Sequence, residues 1–278
     1  MNAATCPHGP ARTFNHPTIT QTVVGGSFTI PFTQIRGGAL TISVKATVAG
    51  RVLAAQSNGL AIAGVNPPIA SIQGALPHDT LRRIARVESG YRQFNAASAG
   101  GSSTCPLFSS DNLGGVGIMQ LTSPAPTADQ VWHWAANVAA GIQVFNQKVA
   151  GARNDPNQVR GSTAFQNLVT QFNRNRVAHG LPAVQVTLPA FTSGDFNTNL
   201  QQLEIDSIRG FNGWGGHDAF EFPLHEFRVA ADGAGLRRVN IDASGTHGTA
   251  IWERVPIADR PQGFGDPNYV NHVLAQAP

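Results

Sequence analysis

Asp79-Thr80-Leu81-Arg82-Arg83-Ile84-Ala85-Arg86-Val87-Glu88-Ser89-Gly90-Tyr91 is the stretch on which the fold turns. Leu81, Ile84, Ala85 and Glu88 fall at i, i+3, i+4 and i+7, the spacing of one helical face. Asp79 stands where an N-cap belongs, and Gly90 where a helix stops. Upstream the period is two. Ser27-Phe28-Thr29-Ile30-Pro31-Phe32 alternates, Gly37-Gly38 turns, Ala39-Leu40-Thr41-Ile42-Ser43-Val44 alternates again, and Gly59 to Val65 offers a further short strand. A change of period near residue 79 makes the chain α+β.

Working outward, residues 1–19 read as a tail and 20–68 as a small β-module. The module is Ig-like but short for a complete sandwich, and Asn66-Pro67-Pro68 closes it. Residues 76–278 read as a mainly helical domain. Gly and Ser fill 96–117, and the capping box Thr127-x-x-Gln130 then opens a helix. Val131, Trp134, Ala135, Val138, Ile142, Phe145 and Val149 form its stripe. A third helix spans about 162–178, with Phe165, Leu168, Val169 and Phe172 inside and Gly180 past its end. A fourth spans about 199–210. Residues 219–256 return to strand-like alternation, as in Phe227-Arg228-Val229 and Val239-Asn240-Ile241.

The 278 residues suffice for a sizeable core, and 41% are hydrophobic. Only 13% are charged, against roughly 25% in an average domain. The net charge is +3, and seventeen of the nineteen cations are Arg. That excess suits an anionic environment such as a cell wall and does not point to nucleic acid. No run of eighteen apolar residues occurs, which excludes a transmembrane helix. Two cysteines, Cys6 and Cys105, give neither a disulfide framework nor a four-thiolate zinc site. One bridge between them is conceivable, but two unpaired thiols is the reading favoured.

Glu88 is the anomaly. A carboxylate on an apolar face loses solvation, which favours its protonated form, and a protonated Glu is what a general acid in glycoside cleavage requires. Periodicity alone still favours a structural role, with Glu88 turned outward or paired with Arg92 at i+4. Arg82, Arg83, Arg86 and Arg92 read as a solvated helix face.

The residues around Glu88 change that balance. Glu88-Ser89-Gly90-Tyr91 is followed by Gly117-Ile118-Met119-Gln120-Leu121-Thr122, by Ala136-Asn137-Val138 with Gly141, by Gly210-Phe211-Asn212-Gly213, and by Tyr269-Val270. This ordered set resembles the soluble lytic transglycosylase (SLT) family of lysozyme-like, peptidoglycan-cleaving enzymes. The resemblance covers about 76–275, with apparent insertions near 151–196 and 217–250. It implies a lysozyme-like domain with a β-rich insertion, no cofactor and no metal. Residue by residue, Glu88 matches the catalytic acid/base and Ser89 the residue that helps orient sugar and glutamate. Met119 and Gln120 match the floor of the saccharide groove, Phe211 and Asn212 the aromatic–Asn pair beside it, and Tyr269 the tyrosine facing the glutamate. Phe211 departs from the commoner Tyr and lacks its hydroxyl.

What the resemblance implies is cleavage of the MurNAc-β-1,4-GlcNAc bond with 1,6-anhydro ends. Hydrolytic glycosidases use two carboxylates, about 5–5.5 Å apart when retaining and about 6.5–9.5 Å when inverting. A transglycosylase manages with one, because the sugar's own C6 hydroxyl is a tethered nucleophile. The rival is a muramidase with Asp111 as second carboxylate, since goose-type lysozymes, similar in fold, position water with an aspartate in a comparable hairpin. Local chemistry in Ser109-Ser110-Asp111-Asn112-Leu113-Gly114-Gly115 makes Asp111 first a turn residue. A third alternative is an inactive wall-binding or secretion/phage module. His217-Asp218 and His225-Glu226 lack metal-ligand spacing, Trp134 reads as core while Trp132 stays open, and no GxSxG, GxxxxGK or GxGxxG occurs.

The partner expected is the peptidoglycan glycan strand, placing the protein in the periplasm or at the cell wall. Met1-Asn2-Ala3-Ala4-Thr5-Cys6 opens without a basic region and apolar stretch, so no signal peptide is visible. A secretion apparatus, a phage particle or a trimmed export segment would then account for delivery, and an immunity protein is a further conceivable partner.

Overall fold

The structure is a computed structural model that describes residues 6–9, 20, 27, 29, 37–111, 113–178, 180–183, 185, 202–213, 225–231, 235–238, 249–254, 266 and 268–278. Helix and sheet are both present, so the chain is α+β. It divides into two units, Met1–Gln143 with Gln276–Pro278, and Val144–Ala275.

In the first unit, β1 (Gly38–Val48) and β2 (Arg51–Ile62) form an antiparallel hairpin around Ala49-Gly50, with a register shift between Leu40 and Ile42. Thus the alternation from Ala39 to Val44 is a strand. The other expected strand, 27–32, falls largely outside the described residues. Next come β3 (Gly64–Val65), α1 (Ile69–Ala75), α2 (Asp79–Ser89) and β4 (Ser102–Ser103), the last antiparallel to β3. In α2 the predicted face is buried: Leu81, Ile84 and Ala85 have no exposed surface. Asp79 is not the N-cap. That place belongs to His78, and Asp79 opens the first turn, where its carboxylate pairs with Arg82 at 2.7 Å. An anion there suits the positive end of the helix dipole without capping it. Gly90 ends the helix in the left-handed region, its N–H reaching the Arg86 carbonyl at 2.9 Å.

Cys6 and Cys105 are bridged, with Cα atoms 5.4 Å apart, which corrects the expectation of two unpaired thiols. A pair separated by 99 residues leaves no local trace in a sequence. Near the bridge Gly9 lies against Phe108, since a Cβ on Gly9 would sit 2.5 Å from the Phe108 ring.

The capping box is present: Thr127 accepts from Gln130 N–H at 3.3 Å, and the Gln130 side chain accepts from Thr127 N–H at 2.7 Å. The single helix expected after it is two, α3 (Ala128–Trp132) and α4 (Trp134–Gly161), broken at the extended His133. The physical reason lies in α3's last carbonyls. Those of Gln130 and Val131 accept from the side-chain amides of Gln93 and Asn137. Trp132 packs on Phe94, with ring centroids 6.0 Å apart, which gives it a structural role.

The second unit holds the remainder of α4, α5 (Thr163–Ala178), α6 (Gln202–Phe211) and α7 (Tyr269–Leu274). Its antiparallel sheet has the order β6 (Gly235–Arg238), β5 (His225–Ala231), β7 (Thr249–Arg254). Helices expected at about 162–178 and 199–210, and strands within 219–256, therefore occur close to where the pattern places them. Val169 is half-buried. The side chains of Phe165, Leu168 and Phe172, and the segment 239–241, lie outside what is described. Among the described residues no helix is long and apolar enough to cross a membrane.

Candidate functional site

The site begins at the end of α2. Glu88 is half-buried there, followed by Ser89, which is 4% exposed. The Ser89 hydroxyl shares its proton between the Ala85 carbonyl at 3.0 Å and the Ile118 carbonyl at 2.9 Å, and it accepts from Arg92 N–H at 3.2 Å. One hydroxyl thereby ties the last turn of α2 to the loop Gly117-Ile118-Met119-Gln120. Residues 29 positions apart in sequence become neighbours. Arg92 donates to the Ser89 carbonyl at 3.0 Å and to the Ala96 carbonyl at 3.5 Å.

That loop is caged by buried amides. Asn137, one turn into α4, accepts from Met119 N–H at 2.9 Å and donates to the Val116 carbonyl at 3.0 Å. Gln93 accepts from Ile118 N–H at 3.3 Å and donates to the Val131 carbonyl at 2.8 Å. Asn66 in turn holds the backbone of Gln93 and Phe94, accepting from their N–H groups at 2.9 and 2.7 Å. All three amides are fully buried, and buried amides with every group paired fix one loop geometry.

Two glycines fit this cage. Gly117 has φ +74°, and a Cβ there would lie 2.6 Å from Asn137 Nδ2 and from the Gln93 amide. Gly141, one turn beyond Asn137, lets Met119 approach: a Cβ there would sit 2.5 Å from Met119 Cβ. Met119 is fully buried, so its side chain supports the loop from beneath instead of lining an open groove.

Tyr91 and Gln120 are two of the four described non-glycine residues with positive φ, at +62° and +44°. Each also carries a buried polar atom without a hydrogen-bond partner, Tyr91 Oη and Gln120 Oε1. The Gln120 amide N–H groups are better served, donating to the Gly117 carbonyl at 2.8 Å. Tyr91, two residues past Ser89, and Gln120, at the end of the caged loop, thus each combine a strained backbone with an unmet buried polar atom.

Asp111 is exposed, and its carboxylate is engaged in its own turn, accepting from Leu113 N–H at 2.9 Å and from the Ser109 hydroxyl. That is the turn chemistry its local sequence favours. Among the described residues no group of three or more His, Cys, Asp or Glu is placed to hold a metal.

Phe211, Asn212 and Tyr269 belong to the second unit. Phe211 lies against Phe145, with centroids 6.2 Å apart. Asn212 donates to the Asp266 carbonyl at 2.8 Å, and the same carbonyl accepts from Tyr269 N–H at 3.1 Å. Asn212 thus holds the entry to α7, on which Tyr269 is 5% exposed. Sequence patterning did not single out Gln93 or Asn66. Both are buried polar residues outside any periodic face, and only their partners reveal what they do.

No family model matches the chain, and neither does any curated protein or solved structure.

Proposed function

We propose that the chain is a lysozyme-like peptidoglycan lytic transglycosylase with Glu88 as its single acid/base. The observation that carries this is the Ser89–Ile118 hydrogen bond. Two motifs of the SLT resemblance, Glu88-Ser89 and Gly117 to Gln120, are fastened directly together, and the third, Asn137 with Gly141, is built around the same loop. In the proposed reaction Glu88 protonates the GlcNAc O4 as the C1–O4 bond breaks. The resulting carboxylate takes the proton of the MurNAc C6 hydroxyl as O6 bonds to C1, which returns Glu88 to its acid form.

The turn-bound carboxylate of Asp111 favours the lyase over the muramidase. The Cys6–Cys105 bridge suits an oxidising compartment, in keeping with the periplasm or cell wall, where the substrate lies. The test is turbidity loss of purified peptidoglycan, comparing the parent with Glu88→Gln, followed by mass spectrometry of the products. Expected are an active parent, an inert variant with unchanged melting temperature, and products lighter by one water than hydrolytic ones. An inert parent would overturn the enzymatic reading. Reducing-end products that disappear in Asp111→Asn would instead make the protein a muramidase.

A further inference from the structure

Among the described residues, the β1–β2 hairpin pairs with no other strand. Its 11-residue first strand reaches about 35 Å at the usual rise per residue. Residues 43–56 are exposed without interruption. An isolated two-stranded ribbon is marginal in water, and its open edges and faces invite a partner.

Its chemistry is unusual for a solvated arm. The register pairs Val44 with Ala55, Ala46 with Leu53 and Val48 with Arg51, so these side chains share one face. Val52 stands on the other face opposite Thr47, with Lys45 on that same face one pair further from the turn, opposite Ala54. At the distal end Val48, Val52 and Leu53 are 58%, 70% and 57% exposed. The turn is Ala49-Gly50, with φ +49° and +78°. Hairpin turns with two positive φ values ordinarily take Asn or Asp before Gly. Here alanine accepts the strain and keeps the two-residue turn without a polar side chain. The only charges from 37 to 62 are Lys45 and Arg51, and no acidic residue occurs anywhere in residues 1–78, which carry four cations. Two cations flanking an apolar tip disfavour pairing with a second copy of the same arm and complement an anionic, amphiphilic surface.

We propose that the hairpin tip docks on anionic phospholipid membranes, inserting Val48, Val52 and Leu53 at the interface while Lys45 and Arg51 bind headgroup phosphates. The contact is peripheral and independent of Glu88 chemistry.

Co-sedimentation of the full-length oxidised protein with phosphatidylcholine vesicles, with and without phosphatidylglycerol, tests this. Binding is expected to the anionic vesicles and to weaken as salt rises. Lys45→Ala and Arg51→Ala should each lower the partition coefficient about fivefold, the worth of one cation near an anionic surface. Leu53→Asp should abolish binding. Ala49→Asn, which suits the turn, should lower binding while the circular dichroism spectrum is kept, separating tip chemistry from hairpin folding. Equal binding to neutral vesicles, no binding, or indifference to Lys45 and Arg51 would overturn the proposal. So would binding of a soluble polyphosphate that is as tight as vesicle binding and survives Leu53→Asp, because charge alone would then account for it. A dimer in lipid-free sedimentation that Leu53→Asp dissolves would assign the face to self-association instead.

Discussion

Gly117 is where a single hydrogen atom as a side chain matters most. Its φ of +74° lies in the region that favours glycine, and the space a Cβ would need is occupied by the amides of Asn137 and Gln93. Those amides cannot withdraw, because each is committed to loop N–H and carbonyl groups. Gly117→Ala therefore combines left-handed strain with overpacking, for an expected loss of about 2–4 kcal/mol. Urea denaturation checks it, and an unchanged midpoint would mean the cage is looser than its distances imply. Gln93→Leu keeps much of the volume but leaves Ile118 N–H and the Val131 carbonyl unpaired in the interior. A loss of about 1–3 kcal/mol is expected, read from the same denaturation curves.

At the scale of elements, α3 has five residues, too few to be stable alone. It is held at one end by the reciprocal bonds of Thr127 and Gln130, and at the other by the side chains of Gln93 and Asn137 on its last carbonyls. Removing the first hold by Thr127→Ala should cost about 1 kcal/mol, while Thr127→Ser, which keeps the accepting oxygen, should cost little. Thermal melting of the two variants distinguishes a working cap from an incidental contact. The break at His133 follows from the same bonds. An apolar stripe predicts which face of a helix is buried, and it carries no information about carbonyls diverted to distant amides.

For the molecule as a whole, the disulfide is the covalent long-range constraint in the first unit. Cys105 lies in the segment that pairs with the cage: its carbonyl accepts from Asn95 N–H at 2.9 Å, Leu107 N–H reaches the Gln93 carbonyl at 2.9 Å, and Gly117 N–H reaches the Leu107 carbonyl at 2.8 Å. Closing a loop of 99 residues removes much entropy from the unfolded chain. Reduction, or Cys105→Ser, should therefore cost about 2–5 kcal/mol. Thiol titration of denatured, unreduced protein should find no free thiol. Amide exchange between 93 and 117 should accelerate on reduction. Two titratable thiols would contradict the bridge.

The sequence by itself determined the α2 face, the stop at Gly90, the capping box and the strand of 39–44, because each depends on neighbours within a few residues. It also marked Glu88, Ser89, Gly117, Asn137 and Gly141 as an ordered set, without saying what joins them. Tertiary structure alone decided that Ser89 fastens helix to loop, that Gln93 and Asn66 complete the cage, that Met119 lies buried, and that Cys6 meets Cys105. The physical reason is one of range. Helix and strand periods come from backbone geometry repeated along the chain, whereas a buried amide or a thiol is indifferent to its neighbours in sequence and finds its partner only once the chain has folded back on itself.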